Sequence, residues 1–249
     1  MDYNLGFKRF GSAKAANRGS VFHEIMEKVN LMLMEGNQIS KEGLGDLTFD
    51  LYNSMFAIKK LYESSMEELS EEEKKKITDF EEFKKNVEDY YYKHSLEREV
   101  LGAEYDFEIF IDNYILNGSV DLIYRDSDGE VVILDYKYAQ FNEEHIGGYI
   151  KQSYIYALAL SKVPEYGKLV KKAIIHFVLG DGINEGAYQY EVEIDEETLK
   201  LQLADMDEVS KNIKEDIFEK EPEKIENCAE CAYRYFCKPK EFAEELYEN

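Results

Sequence analysis

Proline, tryptophan and basic residues are scarce in this chain. Its 249 residues hold 3 prolines, 15 glycines and no tryptophan. So few breakers predict long regular elements, with no low-complexity linker between them. Lysine and arginine number 30 against 53 aspartates and glutamates, a formal charge of −23. That deficit excludes a protein that coats nucleic acid through a basic surface, but not one with a local nucleic-acid site. No apolar run approaches the roughly 20 residues needed to cross a bilayer. Residues Met1 to Gly11 lack the apolar core of a signal peptide. The 3 cysteines all lie near the C-terminus and cannot all pair with one another. A secreted disulfide scaffold is therefore excluded, and a reducing cytoplasm is the expected setting. What the chain does have, 44% hydrophobic and 33% charged residues, is the composition of a folded domain with a real core.

Periodicity organises that core. Phe22, Ile25, Met26, Val29 and Leu33 recur at helical spacing over residues 20–35, with His23, Glu27 and Asn30 expected together on the polar side. Residues 44–100 read as mostly helical, with Leu69, Ile77, Phe80, Phe83 and Val87 at core positions and a strongly acidic, solvated surface between Glu63 and Glu108. The period changes at Glu104. Tyr105, Phe107, Ile109 and Ile111 alternate with acids, as in a half-buried strand. A second strand follows the Asp112-Asn113 turn from Tyr114 to Arg125, and a third runs from Glu130 to Tyr138. A helix over 142–162, a buried strand over 173–179 and a strand over 188–194 come next. Asp195 then caps a last helix carrying Leu199, Leu203, Met206, Ile213 and Ile217. The order implies an α/β domain with a mixed sheet.

The chemistry concentrates between Gly118 and Lys137. If Ser127-Asp128-Gly129 is a three-residue hairpin loop with Gly129 in the left-handed region, Asp126 pairs with Glu130. That register sets Asp121 opposite Asp135, with Cβ atoms about 4.5–5.5 Å apart. Lys137 then emerges beside Asp135, and Ser119 lies across from it. Two facing carboxylates on an apolar sheet repel each other, and a divalent cation resolves the repulsion; Mg²⁺ and Mn²⁺ suit such a site. The lysine could orient or deprotonate an attacking water, or neutralise developing phosphorane charge. The competing reading is an exposed acidic strand end with an ordinary Lys–Asp ion pair.

Gly118-x-x-Asp121, Asp135-Tyr136-Lys137 and Gln152-x-x-x-Tyr156, with Gly19-x-x-x-His23-x-x-x-Glu27 upstream, resemble the PD-(D/E)XK nuclease superfamily. Its RecB- and AddB-type nuclease domains and the small CRISPR-associated adaptation nucleases look nearest. Gly-Ser-Val-Asp stands where the superfamily's name has Pro-Asp, a departure ordinary in that branch. The resemblance implies a restriction-endonuclease-like mixed central sheet flanked by helices. It also implies one nuclease domain over residues 1–249: a first helical motif (1–36), an acidic helical insertion (37–100), a catalytic core (101–194) and a C-terminal helix with a cysteine-bearing tail (195–249).

Carried over residue by residue, His23, Asp121 and Asp135 resemble the metal ligands, with the Tyr136 carbonyl as a further oxygen. Lys137 resembles the catalytic lysine, acting with Asp121 and Asp135, and Gln152 and Tyr156 resemble the motif lining the DNA path. Glu104 stands where the family often has an acid, but is read here as an exposed strand residue. Cys228-x2-Cys231-x5-Cys237 resembles the tail of iron–sulfur members, in which four cysteines hold a [4Fe–4S] cluster. The fourth would fall at or before Met1, so either a longer protein supplies it or the cluster has been lost. The implied function is a Mg²⁺- or Mn²⁺-dependent DNA exonuclease acting on single-stranded ends, in DNA repair, recombination or CRISPR adaptation. A helicase partner or fused helicase is implied with it. A non-catalytic DNA-binding or scaffold module of the same fold is the alternative, which intact Asp121, Asp135 and Lys137 disfavour. A zinc or redox module is disfavoured by the lack of a second Cys-x2-Cys.

Overall fold

The computed structural model describes residues 18–112, 114–163, 166, 170–184, 186–215 and 217. Cys228, Cys231 and Cys237 lie outside them. The sheet and the side chains discussed below belong to one compact unit, Ala16–Ser210. Of the second unit, the described residues are 211–215 and 217, which begin with the end of the last helix.

The apolar repeat near the N-terminus winds into α1 (Arg18–Met34), which buries Val21, Phe22, Ile25, Met26 and Val29. Asn30 is buried with them and not on the polar side with His23 and Glu27. The stretch expected to be mostly helical is interrupted. Helix α2 (Lys41–Phe56) starts at Ser40, whose hydroxyl accepts the Gly43 N–H, and stops at Ala57, left-handed at φ 53°. After the short α3 (Lys59–Tyr62), α4 (Glu71–Tyr90) begins with a Ser70–Glu73 capping box and three glutamates in its first turn, where the helix dipole favours them. It runs into a π-helical turn, Tyr91–Ser95.

Five strands follow in spatial order β1-β2-β3-β4-β5: Glu99–Ile111, Tyr114–Arg125, Val131–Lys137, Lys172–Phe177 and Tyr188–Glu193. Pairing is antiparallel except between β3 and β4, which are parallel and joined through α5 (Ile146–Ser161). The hairpin loop is the one the sequence predicts: Asp126 N–H bonds to the Glu130 carbonyl and Gly129 has φ 82°. Strand β1 starts earlier than its clean alternation because a bulge between Val100 and Gly102 breaks the two-residue period there. Helix α6 (Glu196–Lys214) is capped by Asp195, which accepts the Thr198 N–H at 2.7 Å.

The sheet is covered on both faces. On one, Phe22, Ile25, Leu44 and Phe83 of α1, α2 and α4 share a buried cluster with Leu122, Leu134 and Tyr136. On the other, α5 packs Ala157 and Leu160 against Ile123, Ile133 and Ile175. Each leucine, isoleucine and phenylalanine among them contributes about 1.5–3 kcal/mol by leaving water. Together these layers fix the strand ends that carry the acids.

Candidate active site

The β2–β3 ladder runs from Arg125↔Val131 to Leu122↔Leu134 and ends there. The next step of that register sets Asp121 against Asp135, as the sequence predicts. Asp121 Oδ2 accepts the Tyr136 N–H at 2.7 Å, taking a donor of β3 just past the last ladder pair. Its Oδ1 lies 3.5 Å from His23 Nδ1, and the residue is 8% exposed.

His23 is brought to Asp121 by α1. Its Nε2 bonds to the Tyr136 carbonyl at 3.0 Å, which leaves Nδ1 facing Asp121 and, at 3.6 Å, Glu104 Oε1. Burial lowers the affinity of this imidazole for its proton, but the two carboxylates outweigh burial and raise its pKa to about 10. Glu104 is therefore not the exposed strand residue expected. It is held at φ 42°, accepts from Ser119 Oγ at 3.3 Å and faces α1. A left-handed glutamate inside a strand interrupts the alternation on which the expectation rested. One donor atom each from His23, Glu104 and Asp121 falls within 4.8 Å of the others. An imidazole nitrogen with two carboxylates is a set that suits a divalent ion.

Asp135 is 3% exposed and ion-paired with Lys137. Burial, with the Asp121 charge beside it, pushes its carboxyl well above the usual range against the pull of Lys137. Lys137 Nζ lies 3.3 Å from Gln152 Oε1, and Gln152 Nε2 donates to the Tyr156 hydroxyl at 2.5 Å. Tyr156 is only 7% exposed, so its link to the site runs through Gln152. The glycine of Gly118-x-x-Asp121 has a steric reason: a Cβ there would stand 2.8 Å from Phe107 Cζ. Phe107 in turn meets Tyr156 edge-on, at 6.1 Å between ring centres.

Three carboxylates, a histidine and a lysine thus gather where β2 parts from β3, in the order along the chain of a known motif. The family model of the PD-(D/E)XK nuclease superfamily matches residues 1–238. The chain belongs to that superfamily. Its mixed five-strand sheet flanked by helices is the restriction-endonuclease-like fold. Superfamily members are typically nucleases, with DNA as substrate and a divalent metal such as Mg²⁺ or Mn²⁺. No curated protein matches. A solved structure described as "Crystal structure of SSO0001" is similar at 16% identity, covering 75% of this chain and 96% of its own, with a TM-score of 0.38.

Sequence reasoning missed three neighbours of this PD-(D/E)XK site. Glu104 was assigned to solvent. Asn30, read as polar-face, is fully buried and donates from Nδ2 to the Tyr136 hydroxyl at 3.0 Å, pinning α1 to β3 a short way along from His23. Tyr149 was not singled out, although it lies three residues before Gln152 and so on the same helical face.

Proposed function

We propose that this chain is a Mg²⁺- or Mn²⁺-dependent deoxyribonuclease of the RecB/AddB type that trims single-stranded DNA from an end. The observation that carries this reading is the convergence of His23, Glu104 and Asp121 beside the Asp135–Lys137 pair. His23 Nδ1, Asp121, Glu104 and Asp135 would hold the ion, while the Tyr136 carbonyl, bonded to His23 Nε2 on the far side of the ring, sets the imidazole. The ion supplies phosphate neutralisation and a more acidic water.

The chain's own residues do the rest. The Tyr136 N–H aims the Asp121 carboxylate, and the Tyr136 carbonyl sets the His23 ring, so one residue of β3 orients two ligands. Lys137, held against Asp135 and Gln152, directs a remaining N–H at the attacking water or at the phosphoryl oxygen on which charge grows. Gln152 flanks the strand's path, and the buried Tyr156 holds it from behind.

Single-stranded ends fit a chain of charge −23, which gains little from duplex backbone outside the ion site and relies on a helicase to deliver the strand. Repair, recombination or CRISPR adaptation are the settings in which such ends arise. An iron–sulfur cluster at Cys228, Cys231 and Cys237 belongs to the same reading and is tested by iron and sulfide analysis of anaerobically purified protein. The decisive experiment compares end-labelled linear with circular single-stranded DNA in Mg²⁺, Mn²⁺ or chelator. Degradation of the linear strand alone, with either ion, is the expected result. Cleavage of circles removes the end requirement, and no cleavage in any metal removes the enzyme.

A further inference from the structure

Among the described residues, Lys137 Nζ meets oxygen atoms of two side chains and the ring of a third. It lies against the Asp135 carboxylate and 3.3 Å from Gln152 Oε1, and it stands 4.5 Å from the centre of the Tyr149 ring. Tyr149 and Gln152 both come from α5, whereas Lys137 and Asp135 come from β3. The Tyr149 ring is itself met by Phe177 of β4, with centres 6.0 Å apart. Only 18% of the Lys137 side chain is exposed.

A lysine amine has three N–H donors on a flexible four-carbon stem. Gln152 accepts one of them, and Asp135 draws the amine as its ion-pair partner. A third oxygen in the remaining quarter would use the donor that the substrate requires. A ring face restrains the amine by electrostatic attraction and contact and offers no lone-pair acceptor to compete for that donor. We propose that Tyr149 is a positioning residue for cleavage: its ring face holds Lys137 Nζ over Asp135 with one N–H free for the reacting phosphate or water. This rests on the reading of Lys137 as the catalytic lysine.

The test uses the full chain and two independent readouts. In metal-free protein carrying ¹³C-labelled lysine, the Lys137 ε-methylene protons should be shifted upfield by the ring, the signal being assigned from its loss in Lys137→Arg. The shift should persist in Tyr149→Phe and vanish in Tyr149→Leu. With Mg²⁺ and single-stranded DNA, Tyr149→Leu should lower kcat on the order of tenfold, with KM within about twofold of wild type, and Tyr149→Phe should restore kcat. Replacing residue 149 by phenylalanines of increasing fluorination keeps the ring's shape while emptying its face. kcat should then fall stepwise, whereas simple packing would leave it level. Unshifted ε-methylene protons, or a level fluorination series while Lys137→Met is inactive, would overturn the role of Tyr149 alone. Wild-type cleavage by Lys137→Met would overturn the lysine's role, and that of Tyr149 with it.

Discussion

Burial acts on two neighbouring groups here with opposite outcomes, and the charges around each decide which. Asp135 is buried next to another carboxylate, so its acid is raised despite Lys137. A carboxyl raised on folding loses stability as pH climbs from its unfolded value towards its folded one. Asp135→Asn should therefore abolish cleavage yet make the metal-free protein more stable at about pH 7, on the order of 1–3 kcal/mol, with the difference closing towards about pH 4. Urea unfolding of both proteins at several pH values measures it. Added Mg²⁺ should reverse the order, because only the wild type keeps the full donor set. His23 behaves in the other sense. Its imidazole is held charged by Asp121 and Glu104, so its share of metal-free stability is present below about pH 6.5 and lost as pH rises through about 10. An ion taking Nδ1 displaces that proton. Calorimetry of Mn²⁺ binding in buffers of different ionisation enthalpy should show close to one proton released near neutral pH, and His23→Gln should abolish the release and weaken binding. Lys137→Ala should instead lower kcat by about a hundredfold or more while leaving Mn²⁺ affinity nearly unchanged, because its contact is made in the transition state.

At the scale of elements, the site exists because β2 leaves β3 one residue before Asp121 would have paired, and the hairpin loop sets where that happens. Strand β2 was legible to the residue, bounded by turn chemistry on both sides. The helices over 41–95 were not, since Ala57 turns left-handed for reasons that residue type does not carry. The Ser70-x-x-Glu73 start of α4 was a local signal that could have been read. Gly118 tests how tightly the elements close. Its missing Cβ lets Phe107 lie across β2 and support Tyr156, which holds Gln152. Gly118→Ala should destabilise the fold by about 1–3 kcal/mol through forced displacement of that ring. Cleavage should fall with it even where the protein remains folded, as thermal melts beside rate measurements will show.

The charge of −23 matters at the scale of the whole molecule. Without a cation, phosphate approaching the site meets Asp121, Glu104 and Asp135 together and finds no compensating excess of basic residues. Binding of a single-stranded oligonucleotide should be weak in chelator and tightened by about tenfold or more in Ca²⁺, which supplies charge to an oxygen-rich site. Fluorescence anisotropy with Asp121→Asn as the comparison checks this; equal affinity with and without the ion would locate the DNA elsewhere on the protein.

What the sequence by itself determined was local: the alternation of the strands, the three-residue loop that faces Asp121 with Asp135, and Lys137 one pleat beyond. These follow from two-residue periodicity and from a glycine able to take positive φ, both properties of neighbouring residues. Tertiary structure decided which distant groups meet them. The helical repeat could orient α1 but not say that Asn30 would seek the Tyr136 hydroxyl, and so could not fix His23 against Tyr136. Nor could alternation tell that a bulge and a left-handed Glu104 would turn that carboxylate towards α1. Tyr149 reaches Lys137 only because the β3–α5–β4 crossover lays α5 over the strand end. Faces are set by local period, but the choice among possible partners for a face belongs to long-range packing, which no local window contains.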